Sequence, residues 1–240
     1  MHTPGVLGVD GCRGGWLAVR LELEHGGWVA SPPVFRTAFS EILNLQAHVL
    51  CVDIPIGLPD GQRPRRCDAQ ARSLLGRPRA SSVFSPPCRS ALGIADYRQA
   101  SAANFRLSGR RLNQQSFRIG PKILEVDRLM TPALQRRVLE AHPELAFRAL
   151  NGGSALASRK RSPQGMAERW RLLRNVIPNL PPAAALPTCL RGVCATDDYV
   201  DAIAVAWTAA RFLEGRATRV PAQPPVDQRG LRMEIWFPAT

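Results

Sequence analysis

The sequence predicts an α/β fold on a mixed sheet, an antiparallel three-strand meander plus a parallel central strand, flanked by helices and carrying a helical, arginine-rich insertion. Three observations lead there. Apolar residues alternate with small or polar ones from Trp16 to Leu23, on the far side of a glycine-rich turn. Val49 to Ile54 is apolar throughout except for Asp53. Between Pro55 and Pro132 the strand pattern vanishes, and Gly, Pro, Arg and Ser alternate with short helical stretches.

Val6-Leu7-Gly8-Val9-Asp10 reads as the first strand, Gly11-Cys12-Arg13-Gly14-Gly15 as its turn, and Trp16 to Leu23 as its antiparallel partner. Gly26-Gly27 turns the chain again into Trp28-Val29-Ala30, with Val34-Phe35-Arg36 beyond two prolines, completing the meander. Thr37 is placed to cap a helix carrying Phe39, Ile42, Leu43 and Leu45 on one face. The run from Val49 suits a strand covered on both faces, at the sheet centre and parallel to the first. In the insertion, Asp68–Leu75 and Asp96–Leu107 have helical spacing. Val138 to Phe147 is strand-like but interrupted by Pro143, which indicates an edge strand or a bulge. Ser162-Pro163 opens a helix bearing Trp170, Leu172, Leu173 and Val176, and Pro178 to Pro187 is a loop. Thr196 caps a long helix to about Gly215, with Asp197 and Asp198 at its positive end. Leu231 to Phe237 makes a last strand.

The length of 240 residues and 45% hydrophobic content exclude wholesale disorder and make disulfide or zinc staples unnecessary. We assign residues 1–240 to one domain, with the insertion at about 60–135. No run of about 18 apolar residues occurs, and Met1-His2-Thr3-Pro4 lacks the features of a secretion signal, so a soluble, cytoplasmic protein that engages no membrane is expected. Six cysteines fall at irregular spacings without a C-x-x-C pair, so they are expected to stay reduced. The net charge is +13, and only Lys122 and Lys160 among the 32 basic residues are lysines, a bias a GC-rich gene produces. Position adds what codon bias cannot: residues 1–60 hold 3 basic and 6 acidic groups, whereas residues 61–130 hold 14 and 4. A basic middle segment beside a separate group of carboxylates suits a polyanionic partner.

Asp10 and Asp53 each end an apolar strand and precede a loop, at the sheet edge where α/β proteins bind ligands. On adjacent parallel strands their carboxylates would lie about 5 Å apart and repel unless a proton or cation intervenes. Each residue alone could serve a turn instead. Asp198 and Asp201, three apart, share one face at the start of a helix. Asp197 reads as a cap, whereas Asp201, one turn inside an apolar helix, needs solvent or a partner. Glu144, beside His142 and Pro143, is a further candidate, and His142 reads as a packed or hydrogen-bonding residue. Oxygen donors without matching Cys or His point to Mg²⁺ or Mn²⁺, and two such ions about 4 Å apart would serve phosphodiester hydrolysis. No G-x-S-x-G elbow or Cys/His dyad competes, and Gly8 to Gly15 is not a G-x-G-x-x-G phosphate loop.

The order of meander, helix, buried strand and late acidic helix resembles the ribonuclease-H-like fold. Asp198-x-x-Asp201-Ala202-x-Ala204-x-Ala206 is similar to the last catalytic helix of bacterial Holliday-junction resolvases. Gly8-Val9-Asp10-Gly11-Cys12-x-Gly14-Gly15-Trp16, Asp53-Ile54-Pro55-Ile56-Gly57-Leu58-Pro59, Arg66-x-Asp68-x-x-Ala71-Arg72 and Ser81-Ser82-Val83-Phe84 resemble the family known as domain of unknown function 429. So do Gln115-Ser116-Phe117, Pro121-Lys122-Ile123-x-Glu125-Val126-Asp127, His142-Pro143-Glu144-x-x-Phe147 and Asp197-Asp198-x-x-Asp201-Ala202. That family is described as predicted nucleases with a ribonuclease-H fold. The resemblance therefore implies a metal-dependent nuclease with Asp10, Asp53, Asp198 and Asp201 as metal ligands and catalytic acids. Ribonucleases H often add a glutamate from the first helix; here that helix offers only Glu41, and Glu144 is the substitute. Lys122, Lys160 and Arg169 lie in polar segments where they could hold phosphates or form a solvated basic face.

The leading expectation is a nuclease acting on DNA or RNA through a carboxylate-bound two-metal site, with the arginine-rich insertion gripping the backbone. The alternatives are a nucleotide-binding phosphotransferase of the same fold, selected by ATP binding without cleavage, and a non-catalytic nucleic-acid or protein-binding module. Fold alone does not separate them.

Overall fold

The computed structural model describes residues 5–61 and 63–240. Strand β1, Gly5–Cys12, organises it. Side chains alternate between the faces of a strand, and here Val6 and Cys12 enter one apolar cluster while Leu7 and Val9 enter another. β2 (Gly15–Glu24) returns antiparallel, pairing Gly5 with Glu22 and Cys12 with Gly15. The expected third strand is two pieces on the same side of β2: β3 (Gly27–Ala30) pairs with Leu21–Glu24, and β4 (Val34–Arg36) with Trp16–Ala18. The break falls at Pro32-Pro33, because proline has no N–H for the ladder.

α1 (Phe39–Leu43) is short, and its cap residue is Ala38 rather than Thr37. The Glu41 carboxylate accepts the N–H groups of Thr37 and Ala38 at 3.1 and 3.0 Å and the Thr37 hydroxyl at 2.9 Å. β5 (Val49–Val52) lies parallel to β1 in the register Val6–Val49 to Val9–Val52, buried at all four residues. The insertion is helical, as expected: α2 (Arg66–Arg79), α3 (Tyr97–Ser108, capped by Asp96), α4 (Gln114–Arg118) and α5 (Gly120–Leu129). α5 sends Ile123 and Val126 into the cluster of Leu7, Val9, Leu50 and Val52, so the end of the insertion covers one face of the sheet.

β6 (Val138–Glu140) pairs parallel with β5 and ends the strand order β3-β2-β1-β5-β6. The strand expected to reach Phe147 stops early. His142 Nδ1 accepts the Glu144 N–H at 3.2 Å, and Pro143 takes the first helical position of α6 (Pro143–Leu150), where a missing N–H costs nothing. α7 (Pro163–Val176) starts as expected, with Ser162 Oγ accepting from Gly165 N at 3.1 Å. α8 (Thr196–Leu213) has Ala195, not Thr196, as its cap residue. β7 (Ala217–Val220) and β8 (Ile235–Pro238) form an antiparallel pair. The sequence reading missed β7, which is half exposed and carries a single large apolar residue, and made β8 too long at its start.

α8 covers the other face of the sheet. Ala202 to Ala206 join the cluster of Val6, Val19, Val49 and Cys51. Its approach depends on Gly8: a Cβ there would stand 2.1 Å from Ala202 O and 2.1 Å from Ala206 N. Helix and strand thus meet backbone to backbone. Among the described residues no helix is long and apolar enough to cross a membrane.

Candidate functional site

Asp10 and Asp53 follow from the strand alternation. Asp10 shares the face of Val6 and Cys12, Asp53 that of Val49 and Cys51, and both faces look toward α8. The hydrogen bond from Asp53 N to Val9 O at 3.0 Å carries the parallel ladder one step past β5. The two carboxylates therefore leave neighbouring strands at one level. The close seat of α8 on Gly8 brings Asp201, which precedes Ala202, to the same place, with Asp197 and Asp198 one turn earlier. From the segment between α6 and α7, Lys160 Nζ donates to Asp201 Oδ2 and lies 3.4 Å from Asp197. Arg161 Nε donates to Asp197 at 2.9 Å.

A cleft of about 610 Å³ is lined by Asp10, Asp53, Glu144, Lys160, Asp198 and Asp201, and by Lys122. The sequence candidates thus meet, with one exception. Arg169 is wholly buried, donates to Glu144 Oε1 at 2.6 Å and to Gly165 O at 3.1 Å, and lies over the Phe147 ring. Its reading as a phosphate-holding residue is corrected: it fixes Glu144 from behind. Lys122 is also engaged, donating to Gly15 O at 2.6 Å over the Trp16 ring. The two helix-start acids exchange the roles read from sequence. Asp198 Oδ2 is the capping group, accepting Ala195 N–H at 2.8 Å, whereas Asp197 pairs with Lys160 and Arg161. Glu41 is committed to the start of α1, so it supplies no ligand. Asp68, at the start of α2, also lines the cleft and was not among the candidates; burial of an acid there has no signature in the local sequence.

Burial is the main electrostatic influence. It raises the Asp10 carboxyl well above its usual range, with Asp53 and Asp201 adding to the rise. Asp53 is raised by burial too, opposed by His142 and Lys160. Asp201 is pushed up to about 7 by burial, against the pull of Lys160. Burial works against the Lys160 charge, but Asp201 and Asp10 outweigh it and hold the ammonium protonated.

Asp201, Asp197 and Glu144 each have a cationic partner, but among the described residues Asp10 and Asp53 have none. Two further oxygens, Asp201 Oδ1 and Glu144 Oε2, are buried without a hydrogen-bond partner. An unpaired carboxylate pair with orphaned oxygens nearby is a chemically suitable seat for a hard divalent cation. Among the described residues no set of three or more His, Cys, Asp and Glu side chains is drawn together tightly enough to cage a metal ion. The cation inside the cluster is the Lys160 ammonium. All six cysteines are free thiols.

The mixed sheet and its covering helices are consistent with a ribonuclease-H-like arrangement. Residues 8–226 match the family model described as Protein of unknown function (DUF429), and the chain belongs to that family. No curated protein and no solved structure matches the chain.

Proposed function

We propose that this protein is a divalent-metal-dependent nuclease that hydrolyses phosphodiester bonds in nucleic acid. The observation that carries the reading is the pair of Asp10 and Asp53, on neighbouring strands where the parallel ladder ends and, among the described residues, without an ion-pair partner of their own. Asp10 and Asp53 would hold Mg²⁺ or Mn²⁺, with Asp201 and Asp198 as further donors, and an ion held there would supply Lewis acidity toward a water and a phosphate. Lys160 already neutralises Asp201, so one ion would balance Asp10 and Asp53, and a second would have to compete with the ammonium. Asp201, at about 7, can hold or release a proton near neutrality. Glu144, fixed through Oε1 by Arg169, keeps Oε2 free to orient a water in the cleft.

The test is cleavage of labelled single- and double-stranded DNA and RNA with Mg²⁺, Mn²⁺ or EDTA, comparing wild type with Asp10→Asn. Metal-dependent cutting, lost in the folded variant, is the expected result. If no substrate is cut and neither metal shifts the melting temperature of the wild type, the reading fails.

A further inference from the structure

A second cavity, of about 330 Å³, opens in the insertion beside the carboxylate cleft, and the two share Asp68, Ser81, Val83, Phe84 and Gln115 in their walls. Its own lining is cationic. Arg65, Arg72, Arg110 and Arg111 stand there against one acid, Asp68. Arg65 answers that acid at 3.1 Å, which leaves three guanidinium groups unmatched. Arg72 is anchored, its Nε donating to Val83 O at 2.9 Å and Nη2 to Ser85 Oγ at 2.8 Å. Arg110 and Arg111 ride on a strap fixed by its backbone. Asn104 Nδ2 donates to Arg110 O at 2.7 Å, Tyr97 Oη to Leu112 O at 2.8 Å, and Leu112 N to Ser101 Oγ at 3.2 Å. The side chains of both arginines are exposed, and neither forms an ion pair among the described residues. Deeper in, the buried Arg65 Nε has no hydrogen-bond partner.

Unmatched guanidinium groups around a recess favour an oxyanion, and their planar fork fits phosphate. Phe84, half-buried in the shared wall, adds the aromatic surface on which an unpaired base stacks. A recess of this size takes one nucleotide and excludes a duplex. We infer that the cavity seats an unpaired nucleotide of a strand running on into the carboxylate cleft, its flanking phosphates on Arg72, Arg110 and Arg111 and its base against Phe84. The inference rests on the nuclease reading only for what happens in the cleft; the seat itself is a binding site and is tested without cleavage.

The experiment is fluorescence anisotropy in EDTA with a labelled oligo-dT strand and with the same strand paired to oligo-dA. The strand should bind about tenfold tighter than the duplex. Arg110→Ala with Arg111→Ala should weaken strand binding by about tenfold or more and lower its salt slope by about 1.4, the value for two phosphate contacts on a single strand. Phe84→Leu should weaken it roughly fivefold or more and leave the slope unchanged. Arg216→Ala, exposed beyond the opposite end of α8, serves as the charge control and should change affinity less than about twofold. Melting temperatures of the arginine variants should stay close to wild type, since both side chains are exposed and the one packing contact, Arg111 over the exposed Phe105 ring, lies at the surface. A double variant that binds like Arg216→Ala overturns the seat, as does a duplex bound as tightly as the strand. Competition by inorganic phosphate as effective as that by the strand would also overturn it, showing a seat for free phosphate. Binding in EDTA without cleavage in any metal would sink the nuclease reading and leave the seat standing; metal-dependent cleavage unaffected by the arginine changes would do the reverse.

Discussion

Gly8→Ala is the substitution that most directly tests how the fold positions the site. Ordinary contact begins near 3.4 Å, and the new Cβ would stand 2.1 Å from both Ala202 O and Ala206 N, so α8 must retreat by about 1.3 Å. Both obstructing atoms are backbone, and no rotamer change relieves them. The cost belongs at the upper end for overpacking, about 3 kcal/mol. The loss of glycine's freedom in the unfolded chain offsets about 0.5–1 kcal/mol of that. A net loss of about 2 kcal/mol lowers the melting temperature of a chain this long by about 4–8 °C. Asp201 moves with α8, and a displacement of this size at a reacting centre costs about 10²-fold in rate. Urea and thermal unfolding, run beside the cleavage assay, measure both effects. Gly14→Ala is the control: its Cβ meets only side-chain atoms of Phe35 and Val193 at 3.4 to 3.6 Å, and its stability should stay within about 0.5 kcal/mol of wild type. If Gly8→Ala proves as stable as Gly14→Ala, the backbone contact is not what seats α8, and the argument placing Asp201 beside Asp10 falls with it.

Two other outcomes follow from the buried charges. Arg169→Met leaves Glu144 buried without its partner and should cost about 3–5 kcal/mol in urea unfolding, most of it regained when Glu144→Leu is added; additive losses would show that the two side chains do not act as a pair. Asp201 holds its proton to about 7 in the folded chain and to the ordinary aspartate value of 3.8 in the unfolded one, so the native state binds more protons between those values, and the metal-free protein should lose stability as pH rises from about 4 to about 7. Urea unfolding in EDTA at both ends of that window should show a smaller decline for Asp201→Asn, while the thermal shift given by Mn²⁺ to the wild type should grow over the same rise as Asp201 loses its proton. A Mn²⁺ shift that is flat with pH would remove this carboxylate from the metal site.

How much of this was legible in the sequence depends on the range of the interactions involved. The alternation of Trp16 to Leu23 and the unbroken run from Val49 report burial on one face or two, so the strands and their parallel pairing could be read locally. Asp10 and Asp53 came with them, since the alternation along a strand fixes the face on which each side chain lies. Pro143 was misread because a proline that interrupts a strand and one that opens a helix look alike until the His142 cap is seen. Asp197 and Asp198 were exchanged for a similar reason: either can reach a free N–H at a helix start, and Lys160, some forty residues away in sequence, decides between them. Arg169 shows the limit most plainly. An arginine in a polar helix reads as a surface group, and only tertiary packing reveals Glu144 and Phe147 closing over it.

The same distinction divides the arginines of the middle segment, whose charge excess suggested a broad grip on a polyanion. Arg65 is tied to Asp68 and Glu140, and Arg89 to Asp60, Asp127 and Asp227, while Arg229 adds a second tie to Asp127. These networks fasten the insertion to the edge of the sheet and to the chain before β8. Guanidinium groups held this way cannot neutralise phosphates without breaking their own pairs, which costs several kcal/mol when a carboxylate is left buried. Along the path from cavity to cleft, Arg110 and Arg111 form no ion pair among the described residues, and Arg72 keeps only the part of its fork not given to Val83 and Ser85. Two or three phosphate contacts on a single strand give a salt slope of about 1.4 to 2, far below what ten excess charges would produce. A measured slope in that low range would mean that most of the segment's arginines lie off the strand's path, and a slope several times steeper would mean that the strand is held over a much larger surface than these two cavities.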